Sequence, residues 1–125
     1  MCKDLMTIKS YRSDYTAFFC RNGAEHLVNN LPDKNFHIII DKRVANLYKN
    51  ELKLILDHSS VLLIEAIESN KSLEKMPEYV LHLVSKQIRR DDILIGIGGG
   101  IIQDITCFLA ATLLRGVDWY FYPTT

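Results

Sequence analysis

Apolar residues first recur in short β-branched and aromatic runs. Residues 5–9 and 15–20 are of this kind, and residues 10–14 between them suit a hairpin turn. Arg21-Asn22-Gly23 leads into a short helix over residues 24–30, which Leu31-Pro32-Asp33 stops. From residue 37 the pattern changes. Residues 37–40 form a compact apolar strand ending at Asp41, and Val44, Leu47, Leu52, Ile55 and Leu56 then share one helical side. Residues 61–67 predict a second strand, ending at Glu68. Ser72 reads as the N-cap of an amphipathic helix to residue 90, carried by Leu73, Met76, Val80, Leu83, Val84 and Ile88 at three- and four-residue intervals. Pro77 fits the first turn if that helix starts nearer Lys75. A third strand at 93–97, a Gly98-Gly99-Gly100 turn, a helix at 101–114 and a strand at 119–122 complete the order.

Strands that read as continuous apolar runs are buried on both faces, as parallel strands between helical layers are. The fold class is therefore α/β: a parallel sheet with flanking helices and an N-terminal β-hairpin. No repeat, low-complexity tract or linker marks a domain boundary among the 125 residues. The helix at 101–114 is apolar round most of its circumference, so a partner subunit or a second domain is expected to cover it.

Composition narrows the function. Fifteen Lys plus Arg balance fifteen Asp plus Glu, so net charge gives no reason to expect a nucleic acid or an anionic membrane as partner. Cys2, Cys20 and Cys107 are odd in number and lack CxxC spacing, which fits a reducing cytoplasm better than a disulfide framework. His26, His37, His58 and His82 show no metal-binding spacing. No signal-peptide h-region opens the chain, and Gln103, Asp104 and glycines interrupt its greasiest stretch, so neither secretion nor a membrane span is expected.

In open parallel sheets, ligands bind beyond the carboxyl ends of the strands. The segments there carry Asp41-Lys42-Arg43, then Glu68 to Lys71, then three glycines, then Pro123-Thr124-Thr125. Each has a bland reading as a turn, cap or solvated side chain, but they share one edge. Three glycines between strand and helix let an anion such as a pyrophosphate approach the helix N-terminus. The motif is neither GxGxxG, which would need glycine at Gln103, nor a P-loop, whose lysine is absent. Asp41 is placed to meet a ribose, whereas Asp118 precedes its strand and lies at the wrong end. Asp104, in the first helical turn, suits either the helix dipole or a ligand held by the glycines. Arg115-Gly116 reads as an ordinary helix stop, with glycine at C′ and a cation at the negative end.

The string GGGIIQDITCFLAATLLRGVDWYFYPTT resembles the N-terminal, NAD-binding region of the 3-dehydroquinate synthase family, the sugar phosphate cyclases. The glycines, Asp104, Phe108, Ala110-Ala111, Arg115-Gly116 and the closing Pro-Thr-Thr carry the likeness. Asp41, the Glu68-x-x-Lys71 pair and Arg90-Asp91-Asp92 extend it upstream, and it is weakest before residue 37. The resemblance implies a Rossmann-like domain binding NAD through Asp41, Glu68, Lys71, Gly98, Gly99, Gly100, Asp104, Thr124 and Thr125, with Arg115 on a phosphorylated sugar substrate. It also implies that NAD transiently oxidises a substrate hydroxyl, which acidifies a neighbouring C–H so that phosphate can leave before re-reduction and ring closure. A divalent metal, zinc or cobalt, and its ligands belong to a helical second domain after the Pro-Thr-Thr. The chain is thus expected to be a truncated N-terminal domain, inactive alone, with homodimerisation a family expectation. Gln103 and Cys107 stand where the family commonly has glycine, which suits a cyclase acting on another sugar phosphate. An iron-dependent alcohol dehydrogenase and a non-catalytic NAD-binding module are the alternatives.

Overall fold

The computed structural model describes residues 2–124, with side chains from residue 5 onward. The chain divides into two compact units, one up to Leu31 and one from Pro32. No change of composition marks that division, because Leu31-Pro32-Asp33 reads simply as a helix stop.

In the first unit, β1 (Cys2–Ile8) and β2 (Tyr15–Cys20) form an antiparallel hairpin, with Ile8 opposite Tyr15 and Leu5 opposite Phe18. The helix α1 (Gly23–Asn29) follows, and the Asn22 side chain accepts the Glu25 N–H at 3.1 Å as its N-cap. Cys20 is disulfide-bonded, which corrects the reading of the cysteines as reduced. Their odd number and lack of a motif carried no information about which of them lie near one another in the hairpin.

The second unit is a four-stranded parallel sheet in the order β4-β3-β5-β6. Its elements are β3 (Phe36–Asp41), α2 (Lys42–Leu47), α3 (Lys53–Leu56), β4 (Val61–Ile64), α4 (Met76–Ser85), β5 (Ile93–Gly98), α5 (Gly100–Thr112) and β6 (Asp118–Pro123). Two 3₁₀ turns, Glu68–Lys71 and Leu113–Arg115, sit ahead of α4 and after α5. The two central strands are buried as their apolar runs predict. The edge strands are not: Leu63 on β4 and Tyr120 on β6 are half exposed, because each has a strand on one side only.

Strand alternation sorts the core. Ile39 and Leu94 pack with Met76, Tyr79 and Leu83 of α4 and with Ile102, Ile105 and Leu109 of α5. Ile38, Ile40, Ile95 and Ile97 lie on the opposite face by alternation, and all are buried. Each such side chain contributes about 1.5–3 kcal/mol by leaving water. Gly96 and Gly98 share the face of Ile39, where α5 lies against the sheet. A Cβ built on Gly96 would fall 2.6 Å from the Thr106 hydroxyl oxygen and 3.1 Å from its Cβ. The strand therefore dispenses with side chains where the helix comes closest.

The helices depart from the sequence pattern in three places. The span holding Val44 to Leu56 is two short helices, because Tyr48 ends α2 and Leu47 faces solvent. The helix expected from Ser72 starts at Met76, with Pro77 in its first turn; Ser72 to Lys75 instead forms a turn, with the Lys75 N–H bonded to the Ser72 carbonyl. It ends at Ser85 rather than near residue 90, since Gln87 takes a left-handed φ of 59° and the Ile88 N–H returns to the Leu83 carbonyl. Among the described residues no helix is long and apolar enough to cross a membrane.

The Gly96 contact predicts a coupling. Gly96→Ala should destabilise the chain by about 1–3 kcal/mol through overpacking against a fully buried threonine. In urea unfolding the double variant with Thr106→Ala should recover at least half of that loss. Strictly additive losses would mean that the helix shifts away rather than pressing on the strand.

Candidate functional site

All four strands point their carboxyl ends to one edge, and the polar segments noted in the sequence gather there. Asp41 closes β3 and caps α2, its Oδ1 accepting the Arg43 N–H at 2.9 Å. Gly98 lies beside it: a Cβ on Gly98 would stand 3.2 Å from the Asp41 Cβ and 2.6 Å from Ile102 Cγ1. The Thr124 N–H donates to the Gly98 carbonyl at 2.9 Å, tying the end of β6 to the turn. Thr125 lies outside the described residues.

The turn delivers an uncapped helix. Gly99 occupies the N-cap position of α5 with no side-chain hydrogen bond to the first amides. A Cβ built on Gly100 would meet nothing within 4 Å, so the space over the first turn is open. Unpaired N–H groups facing open space, at the positive end of a 13-residue helix, suit an anion.

Lys71 supplies the one side-chain cation in the predicted cofactor set. Its Nζ lies 2.9 Å from Glu68 Oε1 and 3.1 Å from Asp104 Oδ2, so it links the 3₁₀ turn to α5. The turn itself is pinned from α4. Tyr79 donates its hydroxyl to the Asn70 carbonyl at 2.6 Å, and Asn70 Nδ2 donates to the Glu65 carbonyl at 2.8 Å. Burial, then the charge of Glu78, pushes the Tyr79 phenol above its usual range and keeps it a donor. The hydrogen bond from Lys71 to Glu68, then that to Asp104, raises the Lys71 ammonium above its ordinary value. Asp104 is the fifth residue of α5, past the first turn, so its partner is Lys71 rather than the helix dipole. Below this ion pair a groove of about 240 Å³ is floored by Leu73, Met76, Ile105 and Phe108.

Arg115 is not part of this cluster. It follows α5, whose 13 residues span about 20 Å, and so lies at the opposite edge of the sheet. The helix stop is also less ordinary than Arg115-Gly116 suggests. Leu114 and Arg115 take φ of 51° and 68° ahead of Gly116 at 114°, so the left-handed backbone begins two residues before the glycine. Two short bonds hold it: Gly116 N–H to the Leu113 carbonyl and Val117 N–H to the Ala110 carbonyl, each 2.7 Å.

Sequence reasoning missed Asn70 and Tyr79, whose supporting bonds depend on contacts between segments. It also missed a buried trio of Ser60, His37 and Asp92 at the other sheet edge. Separations of 23 and 55 residues gave no local signal. Among the described residues no group of three His, Cys, Asp or Glu is placed to hold a metal ion.

A parallel sheet with a glycine turn leading into an uncapped helix at its carboxyl edge defines a Rossmann-like domain. The chain belongs to the 3-dehydroquinate synthase family, since residues 61–125 match that family's N-terminal region. It is 36% identical over 107 residues to the 3-dehydroquinate synthase of Shewanella pealeana, covering 83% of this chain and 30% of that protein. The Staphylococcus epidermidis enzyme is 34% identical over 122 residues, covering 93% and 34%. The chain thus spans about a third of the length of these curated relatives. Among solved structures, a 2-deoxy-scyllo-inosose synthase complexed with carbaglucose-6-phosphate, NAD+ and Co2+ superposes with a TM-score of 0.76 at 16% identity, over 97% of this chain and 35% of that one. A 2-epi-5-epi-valiolone synthase from Streptomyces hygroscopicus, with NAD+ and Zn2+ bound, gives 0.66 at 27% identity, over 79% and 30%.

The ion pairs predict a titration. Because the Lys71 value is raised, its contribution to stability is complete below the unfolded value near 10.5 and is lost as pH rises through the folded one. Asp104→Asn should move the Lys71 value back toward 10.5 with little change in thermal midpoint, since the pair is exposed. NMR titration of the lysine side chain measures the shift. An unmoved value would show that Glu68 alone sets it.

Proposed function

We propose that this chain is the NAD-binding part of a sugar phosphate cyclase of the 3-dehydroquinate synthase type, a carbon–oxygen lyase acting on a phosphorylated sugar in the cytoplasm. The observation that carries the reading is the uncapped start of α5, with open space above Gly100. The pyrophosphate would lie against the backbone of Gly98, Gly99 and Gly100, where its charge meets the unpaired amides. Asp41, at the end of β3 beside the turn, would accept a ribose hydroxyl. Lys71 would offer a further cation, held in place by Glu68 and Asp104. Thr124 and Thr125 would close the site from β6. The bound dinucleotide supplies reversible hydride acceptance from a substrate hydroxyl.

These residues bind and orient; they contain no candidate general base aimed at a substrate and no metal cluster. Arg115 stays in the proposal as a substrate contact made apart from the cofactor residues. NAD and metal in the solved relatives support the assignment, as does the share of their length that lies beyond this one. Gln103 and Cys107 are both exposed on α5 and are the positions where a different sugar phosphate would find this chain altered.

Calorimetry with NAD tests the reading. Gly100→Val places a side chain in open space, which leaves packing intact while obstructing the amides. It should weaken NAD binding at least tenfold with little change in thermal midpoint, and Gly99→Val should abolish binding. Unchanged affinity in both variants would remove the pyrophosphate from the turn. The 125-residue chain alone should release no phosphate from a cyclase substrate, and turnover by it would show that the parts of the curated relatives it does not span are dispensable.

A further inference from the structure

The turn that carries Lys71 has little of its own to hold it. It is four residues of 3₁₀ helix, Glu68–Lys71, with no side-chain cap and no buried residue. The ion pairs of Lys71 with Glu68 and Asp104 are exposed, and exposed pairs contribute little. What anchors the turn converges on Asn70. Its N–H donates to the Ile67 carbonyl at 3.0 Å, its Nδ2 donates to the Glu65 carbonyl at 2.8 Å, and its own carbonyl accepts the Tyr79 hydroxyl at 2.6 Å.

The first two of these bonds are local, made to residues no more than five positions away. Of the three, only the bond from Tyr79 comes from another element. Tyr79 is on α4, 4% exposed, in the core layer with Ile39, Met76, Leu83 and Leu94. A phenylalanine would fill that layer as well. The hydroxyl adds a polar atom among apolar side chains, and the Asn70 carbonyl is its partner. Core packing fixes the ring, so the hydroxyl is a peg from the core to the turn. Lys71 follows Asn70 directly, and its side chain therefore leaves a backbone whose position Tyr79 sets.

We propose that Tyr79 is a positioning residue of the cofactor site: through the Asn70 carbonyl, its hydroxyl sets the turn that presents Lys71 to the dinucleotide. The inference rests on the reading of Lys71 as a cofactor contact. Burial, then the charge of Glu78, keeps the phenol protonated, so the hydroxyl stays a donor. The Lys71 side chain can still adjust from its anchored backbone. A turn already in place spares the cofactor the cost of ordering it, so loss of the hydroxyl shows as weaker binding rather than as a changed fold.

The test is Tyr79→Phe in the whole chain, which keeps the ring and removes the bond. Without ligand, NMR titration should find the Lys71 ammonium moved back toward 10.5, because both of its ion pairs depend on where the turn lies. A role in core packing alone would lower the thermal midpoint and leave Lys71 unmoved. In calorimetry, Tyr79→Phe should weaken NAD binding by about fivefold or more. The same change in a Lys71→Met chain should weaken it by less than about twofold, since Tyr79 acts through Lys71. An unmoved Lys71 value, or an equal loss in both backgrounds, overturns the proposal. Should Tyr79→Phe not fold, Asn70→Ala decides, because it frees the same turn from Glu65 and leaves the core unaltered. It must move the Lys71 value toward 10.5 and weaken NAD binding by about threefold or more, or the proposal falls. If the unaltered chain binds no NAD, the cofactor reading fails and takes this role with it. If the unaltered chain binds NAD and Tyr79→Phe binds it as tightly, the role alone fails.

Discussion

A helix that lies directly on a strand leaves no room for side chains between them, and the contact of α5 with β5 imposes that condition twice. At Gly96 the neighbour is Thr106, and at Gly98 it is Ile102, with ideal Cβ positions 2.6 Å from side-chain atoms in both cases. Close approach is what brings the start of α5 to the edge where Asp41 and Thr124 already stand. The cost is that one face of β5 carries so little side chain; Leu94 and Ile39 beside it must fill the layer with α4 and α5. Positions 96 and 98 thus act together, one setting the depth of the helix and the other the placement of its first turn.

The two edges of the sheet differ in how polar groups are treated. At the carboxyl edge, Glu68, Lys71 and Asp104 remain exposed, so their mutual attraction is screened and the side chains stay free to reorganise around a ligand. At the amino edge, His37, Ser60 and Asp92 are buried, and each must find its partner within the protein. Buried hydrogen bonds fix strand positions, whereas exposed ion pairs tolerate adjustment. The division between an edge that can adjust and one that cannot follows from that difference in burial.

Much of this arrangement was legible in the sequence because it depends on local order. The apolar runs of β3 and β5, the three glycines and the polar residues after each strand are contiguous signals, and parallel topology places them on one edge. The helical boundaries were less legible. Leu73 fits the apolar stripe of α4 yet faces solvent, because the turn from Ser72 to Lys75 rotates it away before Pro77 can start the helix. The strand at residues 61–67 stops at Ile64 because no neighbour pairs with Glu65 onward; an edge strand lasts only as long as its one partner. Periodicity measures which residues could share a face, and it is blind to where hydrogen bonding ends.

Arg115 stands apart from the glycine edge. It closes the helix as the sequence reading expects, and that helix carries it to the far edge, behind a left-handed pair at Leu114 and Arg115. Non-glycine residues in that conformation cost of order 1 kcal/mol or more each, and glycine at Gly116 would have served a plain helix stop without them. The bonds from Gly116 to Leu113 and from Val117 to Ala110 offset the strain and hold the turn in a single geometry. The guanidinium therefore projects from a fixed backbone rather than from a frayed helix end. Leu114, next to it in the chain, is itself half exposed. A cation on a rigid base engages an opposite charge without first losing backbone freedom.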